Sequence, residues 1–360
     1  MQFFSKNKLS DILKILCTLL IAFLGAQIFK WMVIPAPYFL GSLMGVWLVA
    51  GSFKKMRPAF EIANWFYLPV IIGICVLIGT NFTPAIFETA QNWLLTVSIM
   101  IVATIIVTGI AFQFLTKVKQ YEPKQAFLCS IPGGQAEALV IAREMVDKDY
   151  IVALFHLVRV AIVFISTPIL LTVIEGSQAI QRSNKILQQM PSITELSLTQ
   201  IGLFMVLCIS GYVGARIIRL PMPHLLGPIF LSSFMHFSGL LELPRIHEFV
   251  ILAQMTIGAS VGARLAHISL YELKSVFFDA LLTSAIIMLT YLTVAILITH
   301  LAGVSFLSIW LAFVPGGLYE ATMLALIFGF DVAFVAFHHL VRVILIFVSM
   351  PIFITKFNKK

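Results

Sequence analysis

Residues 131–137 read Ile-Pro-Gly-Gly-Gln-Ala-Glu, and residues 314–320 repeat the pattern as Val-Pro-Gly-Gly-Leu-Tyr-Glu. The offset is 183 residues, and His-Leu-Val-Arg-Val recurs at the same offset, at 156–160 and 339–343. Self-similarity at a fixed offset indicates two copies of one structural unit. The sequence therefore predicts three parts, which are repeat 1 (1–174), a polar linker (175–198) and repeat 2 (199–360).

The composition around these motifs is that of a membrane protein. The chain has 360 residues, of which 60% are hydrophobic and 11% charged, whereas a soluble chain carries about 25% charged residues. Apolar runs of about 17–25 residues, long enough to span a bilayer, recur along it. We expect an all-α, polytopic protein with six apolar segments in each repeat. These lie at 12–29, 37–53, 65–80, 93–115, 125–146 and 150–174, and at 199–215, 223–240, 249–265, 276–299, 306–329 and 333–355.

The fifth segment of each repeat is interrupted by its Pro-Gly-Gly. Proline removes a backbone donor and glycine weakens a helix, so each fifth segment is predicted to be a broken spanning helix or a re-entrant hairpin. A broken backbone at membrane depth survives only against protein or a water-filled cavity.

The positions of lysine and arginine favour the hairpin. If all twelve segments span, the repeats are parallel, and the loops hold 14 Lys and Arg inside against 7 outside. If the fifth segments re-enter, each repeat crosses five times, the second repeat is inverted, and the counts become 17 inside and 4 outside. The positive-inside rule favours inverted repeats with both termini in the cytoplasm. The twelve-span arrangement stays open.

The net charge of +8 is explained by these flanking cations, so no nucleic-acid partner is expected. Four scattered cysteines show no zinc or disulfide spacing, and neither a metal nor a cofactor is predicted.

Arg159 and Arg342 fall nine residues into their predicted spans, near the bilayer centre. An arginine there costs about 2.5–3.5 kcal/mol on insertion scales, and matched positions in two repeats argue against accident. His156 and His339 lie three residues earlier, on the same helix face. One interpretation is a site for a carboxylate or phosphate, which suits the guanidinium fork. The other is internal neutralisation, in which each arginine pairs with a glutamate of its own repeat, Glu137 or Glu320.

A short helix is predicted to begin after each Pro-Gly-Gly, at 135–145 and 318–328. Helix starts offer unpaired N–H groups and a positive dipole end, and transporters point such ends at anionic substrates. Glu137 and Glu320 lie in the first turns, where they could cap the N–H groups or bind a coupling H⁺ or Na⁺. The predicted substrate-binding residues are Arg159, Arg342, Gly133, Gly134, Gly316, Gly317, His156 and His339.

A second duplicated motif, Pro-x-Pro-x3-Gly, occupies 35–41 and 221–227 and is interpreted as a structural helix entry. Together with Pro-Gly-Gly-x3-Glu and the duplication, it resembles the bacterial AbrB-type membrane protein family over nearly the whole chain. Members of that family carry the labels regulator of gene expression and ammonia monooxygenase. The resemblance implies a location in the cytoplasmic (inner) membrane of a bacterium, and it implies no substrate and no catalytic residue.

The predicted function is secondary transport of a small, anionic solute, not an enzymatic activity. Alternating access would move one part of the bundle against the other around a midplane site. No nucleotide-binding Gly-x4-Gly-Lys-Ser/Thr loop occurs, so ion coupling is expected. One alternative is a membrane-embedded sensor or regulator of gene expression, although its cytoplasmic loops would be short. A membrane monooxygenase is a weaker alternative, because no duplicated cluster of metal ligands is present. A homodimer is compatible with the sequence.

Overall fold

A computed structural model of the chain describes residues 8–268 and 274–358, and over these residues the regular structure is helical, with no strand. Repeat 1 contains α1 (Lys8–Trp31), α2 (Pro37–Ser52), α3 (Asn64–Gly79), α4 (Pro84–Ala90), α5 (Trp93–Gln113), α6 (Pro123–Ser130), α7 (Gln135–Met145) and α8 (Asp149–Glu175). The linker contains α9 (Ser177–Gln189). Repeat 2 contains α10 (Leu198–Ile217), α11 (Pro223–Phe237), α12 (His247–His267), α13 (Lys274–Ala302), α14 (Phe306–Phe313), α15 (Leu318–Phe328) and α16 (Val332–Asn358). A π-helical turn, Phe114–Val118, continues α5.

The predicted all-α membrane class is confirmed. Within the described ranges, seven helices are long and apolar enough to cross a membrane. They are Ser10–Trp31, Trp93–Val118, Asp149–Glu175, Leu198–Ile217, His247–His267, Lys274–Ala302 and Val332–Met350. Helices α2 and α3 have 16 residues each and α11 has 15. At 1.5 Å per residue, 15 or 16 residues reach only about 22–24 Å, less than the hydrocarbon thickness.

Both fifth segments are broken at Pro-Gly-Gly, as the sequence predicts. Helix α6 ends at Ser130 and α7 begins at Gln135, while α14 ends at Phe313 and α15 begins at Leu318. In repeat 1 the chain turns through Gly133 at φ 137° and Gly134 at φ 59°, which are conformations that glycine adopts without steric cost. Each fifth segment is therefore two short helices joined by a bend.

The Pro-x-Pro-x3-Gly motifs have the same packing role in both repeats. A Cβ on Gly41 would lie 2.5 Å from the carbonyl oxygen of Gly25, and a Cβ on Gly227 would lie 2.1 Å from that of Gly211. These separations are far below van der Waals contact, so only glycine lets α2 approach α1, and α11 approach α10, this closely. The structural interpretation of the motif agrees with this packing.

The chain divides into two compact units, and each unit combines segments of both repeats. The first comprises Met1–Thr89, Pro168–His267 and Thr322–Ala333, and the second comprises Ala90–Thr167, Ile268–Ala321 and Phe334–Lys360. Within the first unit, α2 of repeat 1 packs on α12 of repeat 2, and α3 packs on α11. Because α11 is the duplicate of α2 and α12 the duplicate of α3, each second-segment helix packs on the third-segment helix of the other repeat. All of the predicted site residues fall in the second unit.

Candidate functional site

The two duplicated arginines are among the most deeply buried side chains of the second unit. Arg159, in α8, and Arg342, in α16, are each 1% exposed. A buried charge is stable only when nearby groups compensate it and accept its hydrogen bonds.

Arg159 finds its acceptors at the C-terminal end of α6. Its terminal guanidinium nitrogens donate to the carbonyl oxygens of Cys129 and Ile131. The last carbonyls of a helix have no partner within the helix and carry the negative end of its dipole. The guanidinium therefore caps the helix end that Pro-Gly-Gly creates.

In repeat 2, Arg342 caps the C-terminal end of α14 in the same way. Its Nη1 donates to the carbonyl of Phe313 at 2.9 Å, and its Nη2 lies 2.9 Å from that of Val314 and 3.3 Å from that of Gly316. Val314 is the duplicate of Ile131, so the two repeats share this arrangement. Donating to the main-chain carbonyls at the end of a broken helix is a role of the arginines that neither interpretation of the sequence contained.

The duplicated histidines bond equivalent main-chain carbonyls, and one of them also contacts its arginine. His156 Nε2 lies 3.0 Å from the carbonyl of Leu128, and His339 Nε2 lies 2.9 Å from the equivalent carbonyl, Leu311. A carbonyl only accepts, so Nε2 carries the proton in both rings. The Nδ1 of His339 is then free to accept a hydrogen bond from Arg342 Nη2, at 2.7 Å.

One guanidinium nitrogen of each arginine makes no hydrogen bond to the described residues. The Nε atoms of Arg159 and Arg342 are buried, and no described residue hydrogen-bonds to them. Buried polar groups are normally hydrogen-bonded, and an exception calls for a specific explanation. These two N–H groups are the donors that an incoming ligand could use.

The Pro-Gly-Gly bend of each repeat contacts the last helix of the other repeat. A Cβ on Gly133 would lie 3.4 Å from Ile346 Cδ1 and 3.6 Å from Arg342 Nε, while a Cβ on Gly316 would lie 3.2 Å from Val163 Cγ1. Val163 and Ile346 are duplicates, each four residues after its arginine. Each bend thus packs on the last helix of the other repeat, and two predicted site residues of different repeats, Gly133 and Arg342, lie side by side.

Glu320 lies directly over the start of α15. The residue is 4% exposed, and a Cβ on Gly317 would fall 1.8 Å from one of its carboxyl oxygens. This position suits an acidic group in the first turn of a helix, where the dipole is positive. Its duplicate Glu137 belongs to α7, but the Glu137 side chain lies outside the described part of the structure. Gly134 precedes α7 in the left-handed conformation.

Tyr291 of α13 belongs to the site and was missed by the sequence analysis. It is fully buried, its hydroxyl lies 2.9 Å from Thr104 Oγ1, and its ring centroid is 5.9 Å from Arg342 Cζ. An arginine over an aromatic face gains cation–π stabilisation. The duplicate position holds Thr108, so the repeat comparison could not find Tyr291.

A second missed group lies near the start of α13. Asp279 is 7% exposed and forms an ion pair with Lys119, 2.6 Å between Nζ and Oδ1. Its Oδ2 accepts a hydrogen bond of 3.0 Å from Tyr121. Burial, followed by the hydrogen bond to Asp279, raises the pKa of Tyr121 well above its usual range.

His338 is also fully buried, although nothing in the repeat pattern distinguishes it. Its Nδ1 lies 2.8 Å from the carbonyl of Phe334 and its Nε2 lies 2.9 Å from Thr96 Oγ1. Thr96 is the duplicate of Asp279, so one position holds a hydrogen-bonded threonine in repeat 1 and an ion-paired aspartate in repeat 2.

Together, the apolar helices and the paired broken segments define a multi-pass helical membrane protein. The family model described as "Transition state regulatory protein AbrB" matches residues 45–358. The chain belongs to that family. It is also similar to a Bacillus subtilis (strain 168) protein named "Uncharacterized protein YhjN". The two are 22% identical over 333 residues, which cover 87% of this chain and 86% of the relative.

Proposed function

We propose that this protein is a secondary transporter of a small anionic solute, which binds where the Pro-Gly-Gly bends meet the buried arginines. The carrying observation is that Arg159 and Arg342, each 1% exposed, keep a buried Nε–H with no acceptor from the described residues. The α7 and α15 starts add the positive ends of two helix dipoles. An anion that reached this position would find donors and positive potential at membrane depth.

Glu320 supports a means of coupling. Its carboxylate covers the start of α15, which is where an anion would also be attracted. Binding of H⁺ or Na⁺ to this carboxylate would remove a competing negative charge and strengthen anion binding. The proposal is therefore symport of the anion with a cation, and Glu137 would serve the same purpose in repeat 1.

The inverted arrangement of the repeats is part of the proposal, and the Lys119–Asp279 ion pair supports it. Lys119 follows the fourth segment of repeat 1, and Asp279 opens the fourth segment of repeat 2. In the parallel twelve-span arrangement, these two positions lie on opposite sides of the membrane. In the inverted arrangement both lie on the cytoplasmic side, which is compatible with a separation of 2.6 Å.

The direction of packing between α5 and α13 supports the same arrangement. Thr104 contacts Tyr291, and Tyr121, further along repeat 1, contacts Asp279, earlier in repeat 2. The two helices, which are duplicates of each other, therefore run antiparallel. Duplicates run antiparallel when the pseudo-two-fold axis lies in the membrane plane. We infer re-entrant fifth segments, cytoplasmic termini and a location in the bacterial cytoplasmic membrane.

Labelling of single cysteines tests the topology. In a background lacking Cys17 and Cys208, the duplicate exposed positions Lys117 and His300 are each replaced by cysteine. A membrane-impermeant maleimide applied to intact cells should label the His300 variant only. Protection of both positions would contradict inversion, because parallel repeats place both in the cytoplasm.

Uptake into proteoliposomes tests the transport activity. Acetate, propionate, succinate, sulfate and phosphate are offered under inward H⁺ or Na⁺ gradients. Arg342→Gln should abolish uptake of the transported anion, and Arg159→Gln should reduce it. Arg143→Gln is the matched control, because that side chain is 75% exposed. Wild-type rates in both buried variants would remove the site, and no uptake of any anion by the wild type would contradict the transporter.

A further inference from the structure

The two duplicated arginines differ in what their unused nitrogen faces. The Nε of Arg342 lies 3.6 Å from the Cβ position of Gly133, at the bend before α7. Around Gly316, the corresponding Cβ position meets Val163 Cγ1 at 3.2 Å and no atom of Arg159 within 4 Å. The free donor of Arg342 therefore lies beside Gly133 of the repeat 1 bend, and Arg159 makes no equivalent contact with Gly316.

Arg342 is also held more firmly than Arg159. Its terminal nitrogens contact three carbonyls and His339 Nδ1, and Tyr291 lies against its guanidinium group. Arg159 donates to two carbonyls, and the position equivalent to Tyr291 is Thr108. A donor fixed in advance loses little entropy when it binds a ligand.

Resting on the transport function proposed above, we propose that the anion subsite lies at the start of α7. There Arg342, and not its duplicate Arg159, supplies the side-chain donor, and the ligand is a single carboxylate with a short apolar tail. Helix α7 has 11 residues and follows two glycines of positive φ. The positive dipole end of such a helix and a buried, unpartnered N–H converge on one position.

The ligand class follows from the number of donors and their surroundings. Because the terminal nitrogens of Arg342 are engaged, the guanidinium offers one N–H and not the two-pronged fork that phosphate and sulfate exploit. One guanidinium and one helix end suit a monoanion better than a dianion. Ile346 Cδ1 lies 3.4 Å from the Cβ position of Gly133, so an apolar group borders the subsite. A short-chain monocarboxylate satisfies each of these constraints.

Titration of the purified wild-type protein with propionate, butyrate and inorganic phosphate tests the ligand class. Propionate and butyrate should bind more tightly than phosphate. Tighter binding of phosphate would overturn the carboxylate class. No binding of any of the three anions would contradict this subsite, and the absence of all anion uptake would contradict the transport function itself.

Variants of the duplicate pairs test the assignment to Arg342. Arg342→Gln should weaken propionate binding more than tenfold, and Arg159→Gln less than threefold. An equal loss of propionate affinity in both variants would overturn the assignment to Arg342, but it would not contradict the proposed transport function. Ile346→Val, a conservative change expected to fold, removes one methylene beside the subsite. It should raise the affinity ratio of butyrate to propionate about fourfold, while Val163→Ala should leave that ratio unchanged. A ratio unmoved by Ile346→Val would also overturn the subsite.

Discussion

Replacing Asp279 by asparagine, alone and together with Lys119→Met, should reveal a strong coupling between the two repeats. The carboxylate side chain is 10% exposed and the lysine side chain 29% exposed, and their charged atoms lie 2.6 Å apart. Exposed ion pairs contribute about 0.2–1 kcal/mol, whereas breaking a buried pair costs about 3–5 kcal/mol. This pair lies between the two cases, so we expect a coupling energy of about 1.5–3 kcal/mol.

Asp279→Asn keeps an oxygen that can accept the hydrogen bond from Tyr121, so the double-mutant cycle isolates the charge interaction. The assay is reversible unfolding by SDS in mixed micelles, which yields the free energy of unfolding of each variant. Lys117→Met is the control substitution in place of Lys119→Met, because Lys117 is exposed in the π-helical turn Phe114–Val118. A coupling energy below about 0.5 kcal/mol, the usual limit of additivity, would refute the contact and remove the support that it gives to the inverted repeats.

Three further outcomes are expected. Gly41→Ala should destabilise the protein by about 1–3 kcal/mol, because its Cβ would fall 2.5 Å from a backbone oxygen. Gly214→Ala is the control, because no atom lies within 4 Å of its Cβ position, and it should be neutral or stabilising. The thermal unfolding midpoints of the two variants check this. His339→Ala should lower the free energy of unfolding by about 1–2 kcal/mol more than His156→Ala, because only His339 also bonds an arginine. Similar losses for the two variants in SDS unfolding would contradict this prediction. Because the pKa of Tyr121 is raised in the folded protein, the free energy of unfolding should decline as the pH rises above about 10, where tyrosine of the unfolded chain ionises. Tyr121→Phe should lack that part of the decline. Identical pH profiles of the wild type and the variant would contradict this prediction.

The positions of the long apolar helices were predictable because membrane spans leave a strong local signal. Segments predicted at 37–53 and 276–299 are helices at Pro37–Ser52 and Lys274–Ala302. Proline with two glycines cannot continue a helix, so the break in each fifth segment was also predictable. The duplicated arginines were predicted to be buried, and both are.

The contacts of those arginines were less predictable. Their terminal nitrogens bind main-chain carbonyls, which are present at every residue and leave no mark in the sequence. Tyr291 escaped detection because its duplicate is a threonine, and Asp279 because its partners come from a loop of the other repeat. The predicted pairing of Arg159 with Glu137 involves a side chain outside the described residues and stays a prediction.

The sequence by itself determined the class of the protein, its duplication, its helices and the residues whose burial is costly, because hydrophobicity, proline and glycine act locally. Only the tertiary structure decided that each Pro-Gly-Gly bend packs on the last helix of the other repeat, and that Arg342 faces Gly133 while Arg159 has no equivalent contact. The physical reason is that such contacts depend on which surfaces meet when two similar halves interlock. Small differences between the halves, such as isoleucine against valine or tyrosine against threonine, then make the two copies of one motif unequal.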